Sequence, residues 1–131
     1  MKKILLIDHH DSRRETRLKL FAQAGYDVKT REDYFQTEGS EDEAIFDLVI
    51  VALHGEDLAD AAAYSERLRN EKPALPILLL ADAGVFIPRH VLSQSFEAGH
   101  PVELLAEIAE LLARSTFNHE LAPLSDPAKA A

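Results

Sequence analysis

The chain has 131 residues, 47% of them hydrophobic and 28% charged, a length and balance that fit one domain with its own apolar core. It contains no cysteine, which excludes disulfides, thiol nucleophiles and cysteine metal centres. Its net charge of -9 repels phosphate backbones and anionic lipid head groups, so neither nucleic acid nor a membrane surface is an expected partner of this chain alone.

The first apolar run, Ile4–Ile7, follows Lys2 and Lys3 but stops at Asp8. That is too short for the core of a secretory signal. No stretch approaches the roughly 20 apolar residues of a membrane helix, and a cytoplasmic location is expected. The run is continuous rather than alternating, as in a strand buried on both faces. Ser12-x-x-Glu15 then has the pattern of a capping box, with Asp11 as an alternative cap. Leu18, Phe21 and Ala22 give a helical stripe, and Gly25 suits the position just past a helix end. Tyr26–Thr30 alternates and predicts an edge strand. The stretch Glu32–Ala44 is acidic and contains Gly39-Ser40, so a helix there is short or broken.

Leu48–Leu53 is a second continuous apolar run. The alanine-rich segment Leu58–Asn70, with Ala62 and Leu68 among its apolar positions, predicts a helix ending before Pro73. Ile77–Ala81 is a third continuous run. Val91–Phe96 is weakened by Ser93, Gln94 and Ser95 and suits the opposite edge. Pro101 precedes the clearest helix, Val102–Arg114, whose apolar face is Leu104, Leu105, Ile108, Leu111 and Leu112. Glu103, Glu107 and Glu110 lie outside that face. Ser115–Ala131 carries Pro123 and Pro127 and reads as a flexible tail or linker, leaving residues 1–114 as the domain. Strand and helix patterns alternating five times predict an α/β protein of flavodoxin-like, doubly wound architecture. Its five-stranded parallel sheet takes the order 2-1-3-4-5. Sites in that fold lie at the carboxyl ends of the strands, beside the switch point between strands 1 and 3.

Several local patterns, in this order, resemble the receiver family of two-component signalling, the CheY-like response-regulator domains. They are Lys3-Ile4-Leu5-Leu6-Ile7-Asp8, then Arg14-Glu15 with Leu18 and Leu20, then Ala24-Gly25-Tyr26-Asp27-Val28. Phe46-Asp47-Leu48-Val49-Ile50-Val51, Leu75-Pro76-Ile77-Leu78-Leu79-Leu80 and Glu103-Leu104-Leu105-Ala106-Glu107-Ile108 continue the series, so the resemblance covers about residues 3–114. It implies a signalling module rather than an enzyme, and no cofactor. In that family an acidic pair after strand 1 holds magnesium and an aspartate ending strand 3 accepts a phosphoryl group. A hydroxyl residue ends strand 4 and a lysine ends strand 5. The chemistry needs a carboxylate nucleophile and a cation to offset developing charge.

Here the acidic pair is Asp8-His9, the nucleophile position is Ala52, the hydroxyl position is Ala81, and the lysine position is Glu97. A methyl group accepts no phosphoryl group, and Glu97 reverses the stabilising charge. The resemblance therefore implies a pseudo-receiver with a degenerate phosphorylation site. Asp47, at the start of strand 3, and Asp57, in the following loop, are poor substitutes. Twelve residues separate Ala81 from Gln94, and Pro88 falls among them, so the fourth helix is expected to be shortened. Gln94 stands where the family has an aromatic switch residue. This combination is similar to the degenerate receiver-like domains at the amino end of some transcription activators, such as the flagellar FleQ type.

Other readings stay open beside this one. His9 and His54, with Asp8 and Asp57, place imidazole and carboxylate at the ends of strands 1 and 3, a set able to take zinc or nickel. The spacing matches no established motif, and solvated loop histidines explain it equally. Asp8, Asp11 and Asp57 are candidates for a residual magnesium site that lacks one ligand. In that second reading the chain is a flavodoxin-like binding module for a metal ion or small ligand. The acidic run Glu38–Glu43 offers a dock for a basic partner, or is a solvated face. Phe86, Ile87, Val91, Gln94 and Phe96 form the candidate interface for a protein partner or a homodimer; the alternative is that the apolar ones fill the core beside strand 5. No phosphate-binding glycine loop, nucleophile elbow or triad appears.

Overall fold

The computed structural model describes residues 1–32, 34, 43–53, 58–81, 95–97 and 101–114. The sequence Leu-Val-Ile-Val-Ala-Leu of strand β3, Leu48–Leu53, is buried along its whole length. Only an inner strand covered on both faces can bury six consecutive side chains, because successive residues point to opposite sides. β3 lies between β1, Lys3–Ile7, and β4, Ile77–Ala81. The edges are β2, Asp27–Arg31, and the short β5, Ser95–Glu97. All four pairings are parallel, and the order is β2-β1-β3-β4-β5.

Strand alternation sorts the core into two layers. One holds Leu5, Ile7, Val49, Val51, Leu53, Leu79 and Ala81, and packs against Ala61, Tyr64 and Leu68 of helix α2, Leu58–Glu71. The other holds Ile4, Leu6, Leu48, Ile50, Leu78 and Leu80. It packs against Phe21 of helix α1, Asp11–Gln23, and against Leu104, Ile108 and Leu112 of helix α3, residues 101–114. The doubly wound architecture anticipated from the alternation of patterns is therefore present. Among the described residues no helix is long and apolar enough to cross a membrane.

Two local expectations change. α1 begins at Asp11 with His10 as its N-cap and no side-chain capping bond. Asp11 instead accepts a hydrogen bond from Arg14, at 2.8 Å, so the helix start is fastened by a guanidinium rather than by a capping box. The buried face of α1 is also rotated from the expected stripe: Arg17 and Phe21 are buried, Leu18 is half-buried and Ala22 is exposed. Gly25 does end the helix, at φ 98°, a conformation that glycine adopts at no steric cost. The acidic stretch contributes a single 3₁₀ turn, Glu43–Ile45, among its described residues. The shortened fourth helix and the proposed tail fall on residues 82–94 and 115–131, outside the described residues.

Candidate functional site

The parallel register carries the candidate residues to one edge of the sheet. Ile7 pairs with Val51, so Asp8 and Ala52 are the next residues on neighbouring strands. Ala52 pairs with Leu80, and Leu80 with Phe96. Ala81 and Glu97 pair with each other in the following row, beside Leu53. Asp8, Ala52, Ala81 and Glu97 thus occupy two consecutive rows at the carboxyl ends of β1, β3, β4 and β5. His9 follows Asp8 and is half-buried. Its ring centroid lies 4.8 Å from that of the exposed His10. His54, Asp57, Phe86, Ile87, Val91 and Gln94 lie outside the described residues. Among the described residues no three His, Cys, Asp or Glu side chains group as a metal site. Asp47 lies at the opposite end of β3, about 16 Å from Ala52 at the usual rise of a strand. There it accepts the Lys3 N–H at 2.8 Å.

Asp8 is buried at this edge, at 0% exposure. Its Oδ2 accepts a hydrogen bond from Arg17 Nη1 at 3.0 Å, in a salt bridge whose arginine is itself buried. Its Oδ1 accepts the His10 N–H at 2.9 Å. Its backbone carbonyl accepts from Arg14 Nη1 at 2.9 Å, and its N–H donates to the Arg31 carbonyl at 3.0 Å. Arg14 continues outward to Asp11 and Glu32, at 2.8 and 3.3 Å. Burial pulls the Arg17 guanidinium below its usual range, while the Asp8 carboxylate works in the opposite direction. A buried carboxylate is tolerable only when paired and hydrogen-bonded, and both of its oxygens are engaged here.

Arg17 is the residue that sequence reading passes over. The available signal is its place one turn before Phe21: a charged side chain on the buried stripe of a helix requires a buried counter-charge. Asp8 is the acid the strand end supplies.

A second polar group closes the same edge from the α2 side. Glu43, buried in the 3₁₀ turn, accepts from Arg31 Nη1 at 3.3 Å and from the Tyr64 hydroxyl at 3.2 Å. Tyr34 donates its hydroxyl to the Ala52 carbonyl at 3.3 Å, and its ring lies 6.2 Å from that of Tyr64. The Arg67 guanidinium sits 5.3 Å from the Tyr64 ring centroid. Burial, then the adjoining Glu43 carboxylate, holds the Tyr64 hydroxyl protonated well above the usual tyrosine range. Two compensated ion pairs, Asp8–Arg17 and Glu43–Arg31, are thus present, and position 52 contributes its backbone carbonyl to Tyr34.

No protein-family model matches the sequence, and no curated protein is similar to it in sequence. Solved structures do share its fold. It is similar to NtrX from Brucella abortus, determined in complex with ADP, with a TM-score of 0.76 and 16% identity over 95% of this chain. The chain spans 29% of that NtrX chain. A CheY-like response regulator receiver domain protein from Methanospirillum hungatei is similar at a TM-score of 0.75 and 15% identity, over 90% of this chain and 98% of that one. The response regulator TrrA from Thermotoga maritima, in complex with Mg²⁺–BeF, gives 0.65 and 22%, over 85% of this chain and 99% of that one. At these identities the likeness shows a fold, and the fold is that of response-regulator receiver domains.

Proposed function

We propose that this receiver-fold chain is a signalling domain that works without aspartyl phosphorylation, by binding a protein partner or a second copy of itself. The observation that supports this most is the state of the strand-1 acid: Asp8 is buried and paired with Arg17, while the neighbouring strand end offers the methyl group of Ala52. Phosphoryl transfer to a side chain needs a nucleophile and a cation able to reach it. Ala81 and Glu97, in place of a hydroxyl and a lysine, point the same way. With alanine at the position of the family's phosphoryl acceptor, the use we assign to the scaffold is its surface. Phe86, Ile87, Val91, Gln94 and Phe96 are the residues we assign to that interface. We further propose residues 1–114 as the domain and 115–131 as its tail or linker. The setting we propose is a cytoplasmic transcriptional regulator, following the resemblance to the receiver-like domains of transcription activators; the chain spans under a third of the NtrX chain it matches.

Two measurements test this. Intact mass after incubation with acetyl phosphate and Mg²⁺ is expected to stay unchanged, with TrrA as the positive control; a phosphoryl adduct on this chain overturns the reading. Light scattering across a concentration series, followed by the double substitution Phe86→Ser/Ile87→Ser, tests the surface. Loss of self-association or of a captured partner, with the fold intact, is expected. Lost stability with unchanged association refutes the interface.

A further inference from the structure

We propose that Arg17 is a built-in replacement for the divalent cation of the receiver fold: its guanidinium holds Asp8 Oδ2 at 3.0 Å and closes the strand-1 carboxylate to metal ions in solution. The inference rests on reading these strand ends as a receiver site without phosphoryl chemistry. The residues present do not fit magnesium. Mg²⁺ demands a near-octahedral set of oxygens at 2.0–2.1 Å. Asp8 supplies two oxygens, and each already accepts a hydrogen bond, from Arg17 and from the His10 N–H. Position 52 supplies a backbone carbonyl alone, which accepts the Tyr34 hydroxyl. His9 replaces the second carboxylate that the family resemblance calls for.

Charge stoichiometry favours the guanidinium. With His9 and Ala52 in place of acids, and with Asp11 and Glu32 exposed and held by Arg14, Asp8 carries the one buried negative charge among the described residues at the end of β1. One permanent positive charge balances it, whereas a divalent ion would leave an excess of one in a buried site, where unbalanced charge is costly. Arginine suits the task because it stays protonated and bonds carboxylates through a rigid donor fork. It arrives on α1, the helix that follows Asp8 directly, so the compensation is part of folding and needs no ion. Arg14, on the same helix, fixes the Asp8 carbonyl. Together these two arginines set the β1–α1 connection in one geometry regardless of the metal content of the medium.

The test compares the full chain with Arg17→Gln and Arg17→Lys, using MnCl₂ and MgCl₂ as probes, Mn²⁺ electron paramagnetic resonance for binding and thermal melting for stability. The wild type and Arg17→Lys are expected to bind no Mn²⁺ at millimolar concentration and to melt at unchanged temperature. Arg17→Gln is expected to bind Mn²⁺ at a concentration at least about tenfold below the highest at which the wild type binds none, with an upward shift of its melt that the further substitution Asp8→Asn removes. If Arg17→Gln unfolds, Mn²⁺ is expected to restore its native circular dichroism. Failure of metal to bind or to restore that variant overturns the inference. So does Mn²⁺ binding by the wild type; if that protein still takes no phosphoryl group from acetyl phosphate, the functional proposal stands while the role of Arg17 falls.

Discussion

The carboxyl ends of β1 and β3 lie side by side at the switch point of the sheet, yet they dispose of charge in opposite ways. At β1 the acid is retained: Asp8 is buried, and Arg17 neutralises it from α1. At β3 the side chain is reduced to the methyl of Ala52, and the polar group left there, the backbone carbonyl, is satisfied by Tyr34. The difference teaches that the structural demands of a strand end follow the charge it carries. Where a carboxylate persists in the interior it must be matched, so the fold carries an arginine for it. Where no carboxylate stands, as at Ala52, an uncharged hydroxyl suffices. The first solution makes a strongly coupled pair, and the second makes a weak, local contact.

Breaking the β1 side should have the largest effect. Arg17→Gln leaves a buried carboxylate without its counter-charge and is expected to cost about 3–5 kcal/mol, read as a lower urea midpoint at constant slope. Asp8→Asn/Arg17→Gln should recover much of that loss, since both charges go together. A cost for Arg17→Gln within about 0.5 kcal/mol, as at an ordinary surface position, would remove the distinction between the two strand ends. Next comes Ala52→Asp, which places a carboxylate at a position with 0% exposure whose neighbouring acid already has its cation. We expect a loss of about 2–4 kcal/mol by the same denaturation, and no phosphoryl adduct by mass spectrometry. Clean phosphorylation of that single variant would show that position 52 alone separates this chain from a working receiver.

Smaller effects belong to the Tyr64 and Tyr34 hydroxyls. Tyr64→Phe removes a donor to the buried Glu43 carboxylate and should cost about 1.5–3 kcal/mol at neutral pH. It should also change the alkaline limb of the stability profile. The folded state holds this hydroxyl protonated beyond its unfolded range. Its contribution is therefore intact below pH about 10, where the unfolded tyrosine begins to ionise, and is lost as pH rises above that. The wild type should lose stability more steeply than Tyr64→Phe above that point in a pH series of urea titrations. Equal slopes would contradict the burial assigned to this hydroxyl. Tyr34→Phe, the smallest, should cost about 0.5–1.5 kcal/mol and leave the Asp8–Arg17 pair untouched.

Much of the scaffold is legible in the sequence. Continuous apolar runs at Leu48–Leu53 and Ile77–Ala81 mark inner strands because a strand covered on both faces has no polar side to display. Gly25 marks a helix end because its backbone conformation excludes most residues. The placement of Asp8, Ala52, Ala81 and Glu97 at one edge follows from parallel order alone. The pairing at that edge is not legible in the same way. Which side chain meets Asp8 depends on the rotation of α1 against the sheet, and the expected stripe of Leu18, Phe21 and Ala22 shares Phe21 with the observed buried pair but leaves out Arg17. Glu43 is equally opaque: within an acidic run it reads as solvated, and only the 3₁₀ turn brings it under Tyr64 and Arg31.

The most direct test of a phosphorylation-independent receiver fold is a titration of the ¹⁵N-labelled chain with beryllofluoride and Mg²⁺, followed by amide chemical shifts. The amides of Asp8, Ala52, Ala81 and Glu97 should remain where they are at saturating reagent. Saturable shifts converging on those residues would mean that the edge still takes up a phosphoryl mimic, and would contradict the proposal at its centre.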